Sequence, residues 1–244
     1  IATGEFIMKN ALIFMCLSIV LCEEKIFIGC EGNFYQSNGS LWTIENEESY
    51  EFEGNPIGEI VQSLYVHKDE LYLTVNGSHR IDVFDIMDNG LVQKQSIDTN
   101  SSSPRELLVH GDFLYFSNWY SSDLKKININ TWEIVNEIPM PGLPEDIVVH
   151  DEKLYISITM NFDWTDGDQV VVLDLDNDSI IETYDVGLGP GDLLVHDNEI
   201  YISRTYYDEN WNTFHGASII NSNDQCNITK SYGTGMPCGG SVML

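Results

Sequence analysis

Positive charge is what this chain has least of. Eleven lysines and arginines stand against 39 aspartates and glutamates in 244 residues, for a formal net charge of -28. Such a surface repels phosphate backbones and anionic headgroups, so nucleic acid and electrostatic membrane binding are both disfavoured. Acidity serves solubility first, and it also attracts cations and cationic ligands. Catalytic signatures are missing as well: there is no G-x-S-x-G elbow, no H-E-x-x-H and no Gly-rich phosphate loop. We therefore assign no catalytic residue, metal or cofactor from motifs.

Cysteine is scarce and unpaired in number. Cys16 and Cys22 fall in an apolar N-terminal stretch, leaving Cys30, Cys226 and Cys238, in no zinc-like spacing. Cys226 and Cys238 read either as a bridge or as buried thiols. No apolar run is long enough to anchor the chain across a bilayer. The longest, "MKNALIFMCLSIVLC" from Met8, has a lysine, then an apolar core, then Cys22. That order is the order of a secretory leader. It divides the chain into flanking residues 1–7, a leader over 8–22 and a domain over 23–244. Export to the periplasm, cell surface or medium is expected, and export permits disulfides. Cys22 leaves open a lipid anchor, which would be the one route to a membrane. Leu21 is larger than that signal prefers, so simple cleavage is the alternative.

Sustained helical periodicity is also lacking. What the chain has instead is a repeated hairpin. "SLYVHKDELYLT" from Ser63, "ELLVHGDFLYFS" from Glu106, "DIVVHDEKLYIS" from Asp146 and "DLLVHDNEIYIS" from Asp192 are close copies. Their tyrosines are Tyr72, Tyr115, Tyr155 and Tyr201, and Phe27 takes the same place one unit earlier. Intervals of 40 to 46 residues are those of four-stranded propeller blades. Pro104, Pro144 and Pro190 open the first strand of their units, Pro56 does so more loosely, and Pro237 starts a further copy. Third strands read "GSLWTI", "RIDVFDI", "LKKINI", "QVVVLDL" and "GASII". Fourth strands follow, as in "GLVQKQSI", "WEIVNEIPM", "SIIETYDVG" and "CNITKSYGTG". β-Branched and aromatic runs between Asn, Asp and Gly turns support strands. Four strands cannot bury both faces alone, so packing around an axis predicts an all-β propeller with about five blades.

The pattern "P-x-x-(I/L)-x-V-(H)-x-(D/E)-x-(L/I)-Y-(I/L)-S", with "V-x-V-(L/F)-D" further on, resembles the YVTN-type propeller repeat from about Ile26 to the end. The opening "IGCEGNFYQSNGSLWTI" is similar to the first blade of exported bacterial propellers of that group. The resemblance implies a ring of seven blades, so a fragment of a longer ring is expected; a closed five-bladed ring is the alternative. A histidine replaces the usual Pro, Asp and Gly at the bend, which is a departure from the family.

His67, His110, His150 and His196 look like a metal set only when taken out of the repeat. Equivalent points on adjacent blades lie on the order of 10 Å apart, whereas zinc takes ligand atoms at about 2 Å. Packing or hydrogen bonding at the hairpin explains them better. "NFDWTDGDQ" from Asn161 lacks the order of an EF-hand and reads as a solvated acidic loop.

Recognition is better placed on the loops between second and third strands. They carry Phe34 and Tyr35, Trp119 and Tyr120, Phe162 and Trp164, then Tyr206, Tyr207, Trp211 and Phe214. Aromatic surface beside Asn and Asp on a rigid scaffold suits a sugar, a small molecule, a cationic ligand or a protein. The expected ligand-binding set is Tyr35, Arg105, Trp119, Tyr120, Trp164, Tyr206 and Trp211, with Arg105 placed to face the central channel. Arg204 is a further basic residue at a strand end. The expected function is a non-catalytic binding or scaffold module. The alternative is a propeller enzyme of lyase, lactonase or quinone-dependent type, and acids or histidines converging at the first-strand starts would favour it.

Overall fold

Each repeated unit is a β-hairpin closed by two residues. In the computed structural model, which describes residues 25–221 and 226–234, the four bend histidines are the last residues of their strands. They pair with the residue three ahead: His67 with Glu70, His110 with Phe113, His150 with Lys153 and His196 with Glu199. The turn itself falls on the next two positions. Asp151 and Glu152, like Asp197 and Asn198, have positive φ, the geometry whose twist matches a tight hairpin. The histidine is thus a strand-end residue, one place before the bend.

Nineteen strands assemble into five antiparallel sheets, each in chain order. The first has three strands, β1 (Lys25–Cys30), β2 (Ser40–Glu45) and β3 (Glu48–Glu51). The second holds β4 (Val61–His67), β5 (Glu70–Val75), β6 (Arg80–Met87) and β7 (Gly90–Asp98). The third holds β8 (Pro104–His110), β9 (Phe113–Asn118), β10 (Asp123–Asn128) and β11 (Glu133–Pro139). The fourth holds β12 (Leu143–His150), β13 (Lys153–Met160), β14 (Asp166–Asp174) and β15 (Ser179–Asp185). The fifth holds β16 (Pro190–His196), β17 (Glu199–Tyr207), β18 (Thr213–Ile220) and β19 (Cys226–Thr234). No α-helix occurs among the described residues.

The innermost strands β4, β8, β12 and β16 pack on one another in that order, and β1 packs on β4 as β5 packs on β8. The first sheet therefore begins at the second-strand position, as the alignment of Phe27 with the tyrosines requires. The leader, Cys16, Cys22, Pro237 and Cys238 lie outside the described residues. Cys30 and Cys226 are free thiols.

The core lies between sheets. One apolar cluster joins Leu108, Tyr115 and Leu124 to Ile147, Ile156 and Val171 across the third and fourth sheets. Equivalent clusters fill the other three gaps between consecutive sheets. The repeat tyrosine is the plug: Tyr72, Tyr115 and Tyr155 are 0%, 1% and 3% exposed. Tyr201, with no following sheet over it among the described residues, is only half-buried. The tyrosine's burial thus depends on the neighbouring blade.

The hydroxyl two residues after each tyrosine has its own task. Register breaks just after each first-strand start, between Val61 and Ser63, Pro104 and Leu107, Pro144 and Ile147, and Pro190 and Leu193. A bulge leaves a backbone N–H without a ladder partner, and a buried N–H needs one. Ser63, Glu106, Asp146 and Asp192 donate theirs to the hydroxyls of Thr74, Ser117, Ser157 and Ser203 at 2.8, 3.1, 3.0 and 2.9 Å. Thr74 and Ser117 donate onward to the carbonyls of Arg105 and Glu145 in the next sheet. Ser117→Ala should cost about 1 kcal/mol in urea unfolding by orphaning both groups. An unchanged midpoint would mean that water replaces the hydroxyl.

Candidate functional site

Because Pro104 pairs with Asn118, the start of each inner strand lies at the same end of its sheet as the recognition loop. Two features meet there.

The first is built on Arg105. Its Nε and Nη2 donate to Glu145 at 2.9 and 2.6 Å, and Nη1 donates to Gln62 Oε1 at 2.7 Å. One guanidinium thus ties three inner strands with a forked, charge-assisted grip. Its other face lies 4.1 Å from the centre of the Trp119 ring, a cation–π distance. Trp119 in turn meets Trp164 of the next sheet edge to face, with centroids 6.1 Å apart. Trp119 Nε1 is buried without a hydrogen-bond partner. Arg105, Trp119 and Trp164, three of the seven candidates, are therefore brought together.

The remaining candidates have other ring neighbours. Tyr120 packs against His79, with ring centroids 5.7 Å apart. Tyr206 stacks on Phe214 at 5.5 Å, with the Arg204 guanidinium 5.7 Å from its ring. Trp211 lies 6.1 Å from Tyr207. Tyr35 is 93% exposed, and its ring neighbours Phe34. The fourth and fifth sheets are nonetheless linked at this end, since the Tyr207 N–H donates to Asp166 Oδ2 at 2.9 Å.

The second feature is an acidic layer that the sequence reading passed over. Glu106, Asp146 and Asp192 occupy equivalent bulge positions, and Ser63 fills the place in the second sheet. Burial, reinforced by the Asp146 charge, pushes the Glu106 carboxyl up to about 8. Burial pushes Asp146 to about 7, although its oxygens accept the Leu193 and Ile147 N–H groups at 2.6 and 2.8 Å. Asp192 is raised by burial too. Glu106 and Asp146 border a trough of about 480 Å³ whose walls are mostly Leu, Val and Ile of the inner strands. The signal was present in the sequence: in three units the residue two after the proline is acidic, as Glu106, Asp146 and Asp192. A larger crevice of about 850 Å³, bordered by Glu45, Glu51, Glu53 and Asp88, opens between the first two sheets and shares no residue with either feature.

The bend histidines remain local. His150 and His196 sit 3.5 and 3.3 Å from the aspartate that follows each, and His110 sits 3.5 Å from Glu152 of the next sheet. In the acidic loop, Asp163 is engaged by the Thr165 hydroxyl and N–H at 2.6 and 3.2 Å.

No family model matches the chain, and no curated protein matches it. Solved structures do. A putative 6-phosphogluconolactonase from Bacteroides fragilis is 12% identical, with a TM-score of 0.68 over 90% of this chain and 71% of its own. One from Bacteroides uniformis is 11% identical, with a TM-score of 0.66 over 87% and 69%. Saccharomyces cerevisiae Sqt1 is 10% identical, with a TM-score of 0.63 over 83% and 57%. The chain spans about half the length of two further matches, the computationally designed Ika8 protein and Kuenenia stuttgartiensis hydrazine synthase. At such identities these likenesses speak to architecture alone, and with five antiparallel sheets in series they make the chain a β-propeller.

Proposed function

We propose that the chain is an exported propeller of YVTN-type repeats that works as a non-catalytic recognition module through its loop face. The observation that carries this reading is the display of large rings to water. Phe162, Trp164 and Trp211 are 63%, 59% and 81% exposed on short, internally hydrogen-bonded loops. Rings held out in this way contribute nothing to the blade cores and provide contact area at little entropic cost. The leader-like stretch at 8–22 supports export.

The test is a fluorescence screen of the full chain against cationic peptides, neutral oligosaccharides and anionic probes. Trp164→Ala with Trp211→Ala should abolish every response found while lowering Tm by less than about 2 °C, as surface substitutions do. A wild-type chain that answers no probe sinks the reading. So does a large drop in Tm, because the rings would then belong to the core.

The acidic layer favours a second reading. Acids converge at the first-strand starts, which is the condition stated for an enzyme. A Glu106 carboxyl that keeps its proton near neutrality is equipped as a general acid, with Asp146 beside it. The two lactonase-like neighbours raise the possibility of lactone hydrolysis. Arg105, the cation acting on Glu106, is already engaged by Glu145 and Gln62, so this reading takes an unphosphorylated lactone first. Glu106→Gln should abolish turnover of an unphosphorylated sugar lactone if this reading holds. Absence of turnover in the unsubstituted chain removes it.

A further inference from the structure

Two consecutive blades present their tryptophans on loops of the same construction. In the fourth sheet the Asn161 N–H donates to the Thr165 carbonyl at 2.9 Å, and the Trp164 N–H donates to the Asn161 carbonyl at 3.0 Å. In the fifth, Asp208 N–H donates to Asn212 at 3.1 Å, and Trp211 N–H donates to Asp208 at 2.9 Å. Both tryptophans are left-handed, with φ of 66° and 61°. That conformation is costly for a bulky side chain and persists only where the surroundings impose it. Here an Asx turn does so in each loop: Asp163 accepts the Thr165 N–H at 3.2 Å, and Asp208 accepts the Asn210 and Asn212 N–H groups at 2.9 and 2.8 Å.

The same turns hold negative charge in the loop that carries each ring. Asp163, Asp166 and Asp168 lie in and just after the first loop, and Asp208 and Glu209 lie in the second. Neither 160–168 nor 205–215 contains a lysine or arginine. Hydrogen bonds from Thr165 and from Asn212 hold the Asp163 and Asp208 carboxyls below their usual range, so both stay ionised. The Asp166–Tyr207 hydrogen bond ties the strand ends next to the two loops, and Trp164 rests edge to face on Trp119 of the third sheet. An aromatic face flanked by fixed carboxylates matches a guanidinium or ammonium group, which gains from the ring quadrupole and the charge together. The chain already makes this contact internally, between Arg105 and Trp119.

We infer that loops 161–165 and 208–212 form a paired docking surface for an arginine- and lysine-rich segment of a partner protein, each loop receiving one cationic side chain. This deepens the loop-face reading and rests on it. Two equivalent sites on one rigid scaffold add avidity, so losing either should weaken binding and losing both should nearly abolish it.

The probe is a fluorescein-labelled peptide of alternating arginine and glycine, titrated with the full chain by anisotropy beside a neutral cello-oligosaccharide. Trp164→Ala and Trp211→Ala should each weaken peptide binding several-fold and together by more than about tenfold. Glu209→Gln, an exposed change that leaves the turn intact, should weaken it about two- to threefold. Raising ionic strength from about 0.05 M to about 0.3 M should weaken it further. The inference is overturned by no peptide binding, or by binding that ignores both tryptophans, which would be diffuse attraction to an acidic surface. Tryptophan-dependent, salt-insensitive binding of the oligosaccharide instead would also overturn it, while leaving recognition through the loop face standing.

Discussion

Truncation of Lys126 to alanine should lower the free energy of unfolding by about 3–5 kcal/mol, the usual result of removing one partner from a buried ion pair. Lys126 leaves β10 and enters the gap between the third and fourth sheets. There Nζ donates to both oxygens of Asp178 at 2.8 and 3.0 Å, over the ring of Phe113 at 4.2 Å. The two side chains are 10% and 13% exposed. Without the lysine, Asp178 keeps the Asn136 Nδ2 donor at 3.0 Å and the Tyr115 hydroxyl, but its charge stays in a poorly solvated seam with no cation against it. The pair seals the gap filled by the apolar cluster of Leu108, Tyr115 and Ile147. Urea unfolding followed by fluorescence measures the loss. Lys126→Met combined with Asp178→Asn, which removes both charges and keeps the volume, should recover most of it. A loss under about 1 kcal/mol for the alanine variant would place the pair in water instead.

The acidic layer predicts an unusual pH profile. A carboxyl whose folded pKa is raised binds its proton more tightly folded than unfolded, so folding takes up a proton between the two values. For Glu106 the window runs from about 4, its ordinary range, to about 8. For Asp146 it runs from about 4 to about 7. The contribution is fully present below the lower limit and is lost as pH rises through the upper one. Acidification from pH 8 toward 5 should therefore stabilise this protein. Glu106→Gln mimics the protonated state and should exceed the unsubstituted chain by about 2 kcal/mol at pH 8, after discounting for partial exposure, and match it near pH 4. Asp146, Glu145, Arg105 and Ser63 all act on Glu106, so the difference between the two chains is the quantity to read. Parallel profiles would mean that Glu106 is ionised and solvated across the range.

Scaffold and site differ in how much of each is legible in the sequence. Strand order followed from the hairpin copies, because a period-two pattern with a fixed turn can pair in one register only. The separateness of the four histidines also followed from their recurrence, whereas the recurrence of the tyrosines marked the repeat without showing that they plug the gaps between blades. Arg105 as an inward-facing cation could be anticipated because it follows Pro104 directly. The hydroxyl after each tyrosine was visible as a repeated Ser or Thr, but its role was not. That role requires a bulge in a neighbouring strand, and bulges leave no mark in alternation.

The loop candidates show the same division. Trp119 and Trp164 stand out in the sequence by composition alone, and what unites them is a contact between different blades. Tyr35 stands out on equal grounds and shares no ring contact with them among the described residues. Glu106, Asp146 and Asp192 each stand two residues after a proline, but in so acidic a chain a recurring carboxylate carries little signal of its own.

Recurrence along the chain thus determined the architecture: each copy makes the same hairpin and must hide the same apolar face, whatever surrounds it. Only the tertiary structure decided which polar groups meet. Convergence at the strand starts, the Arg105 grip across three sheets and the meeting of Trp119 with Trp164 depend on how one blade is set against the next. That setting is a property of packing between copies, and no single copy encodes it.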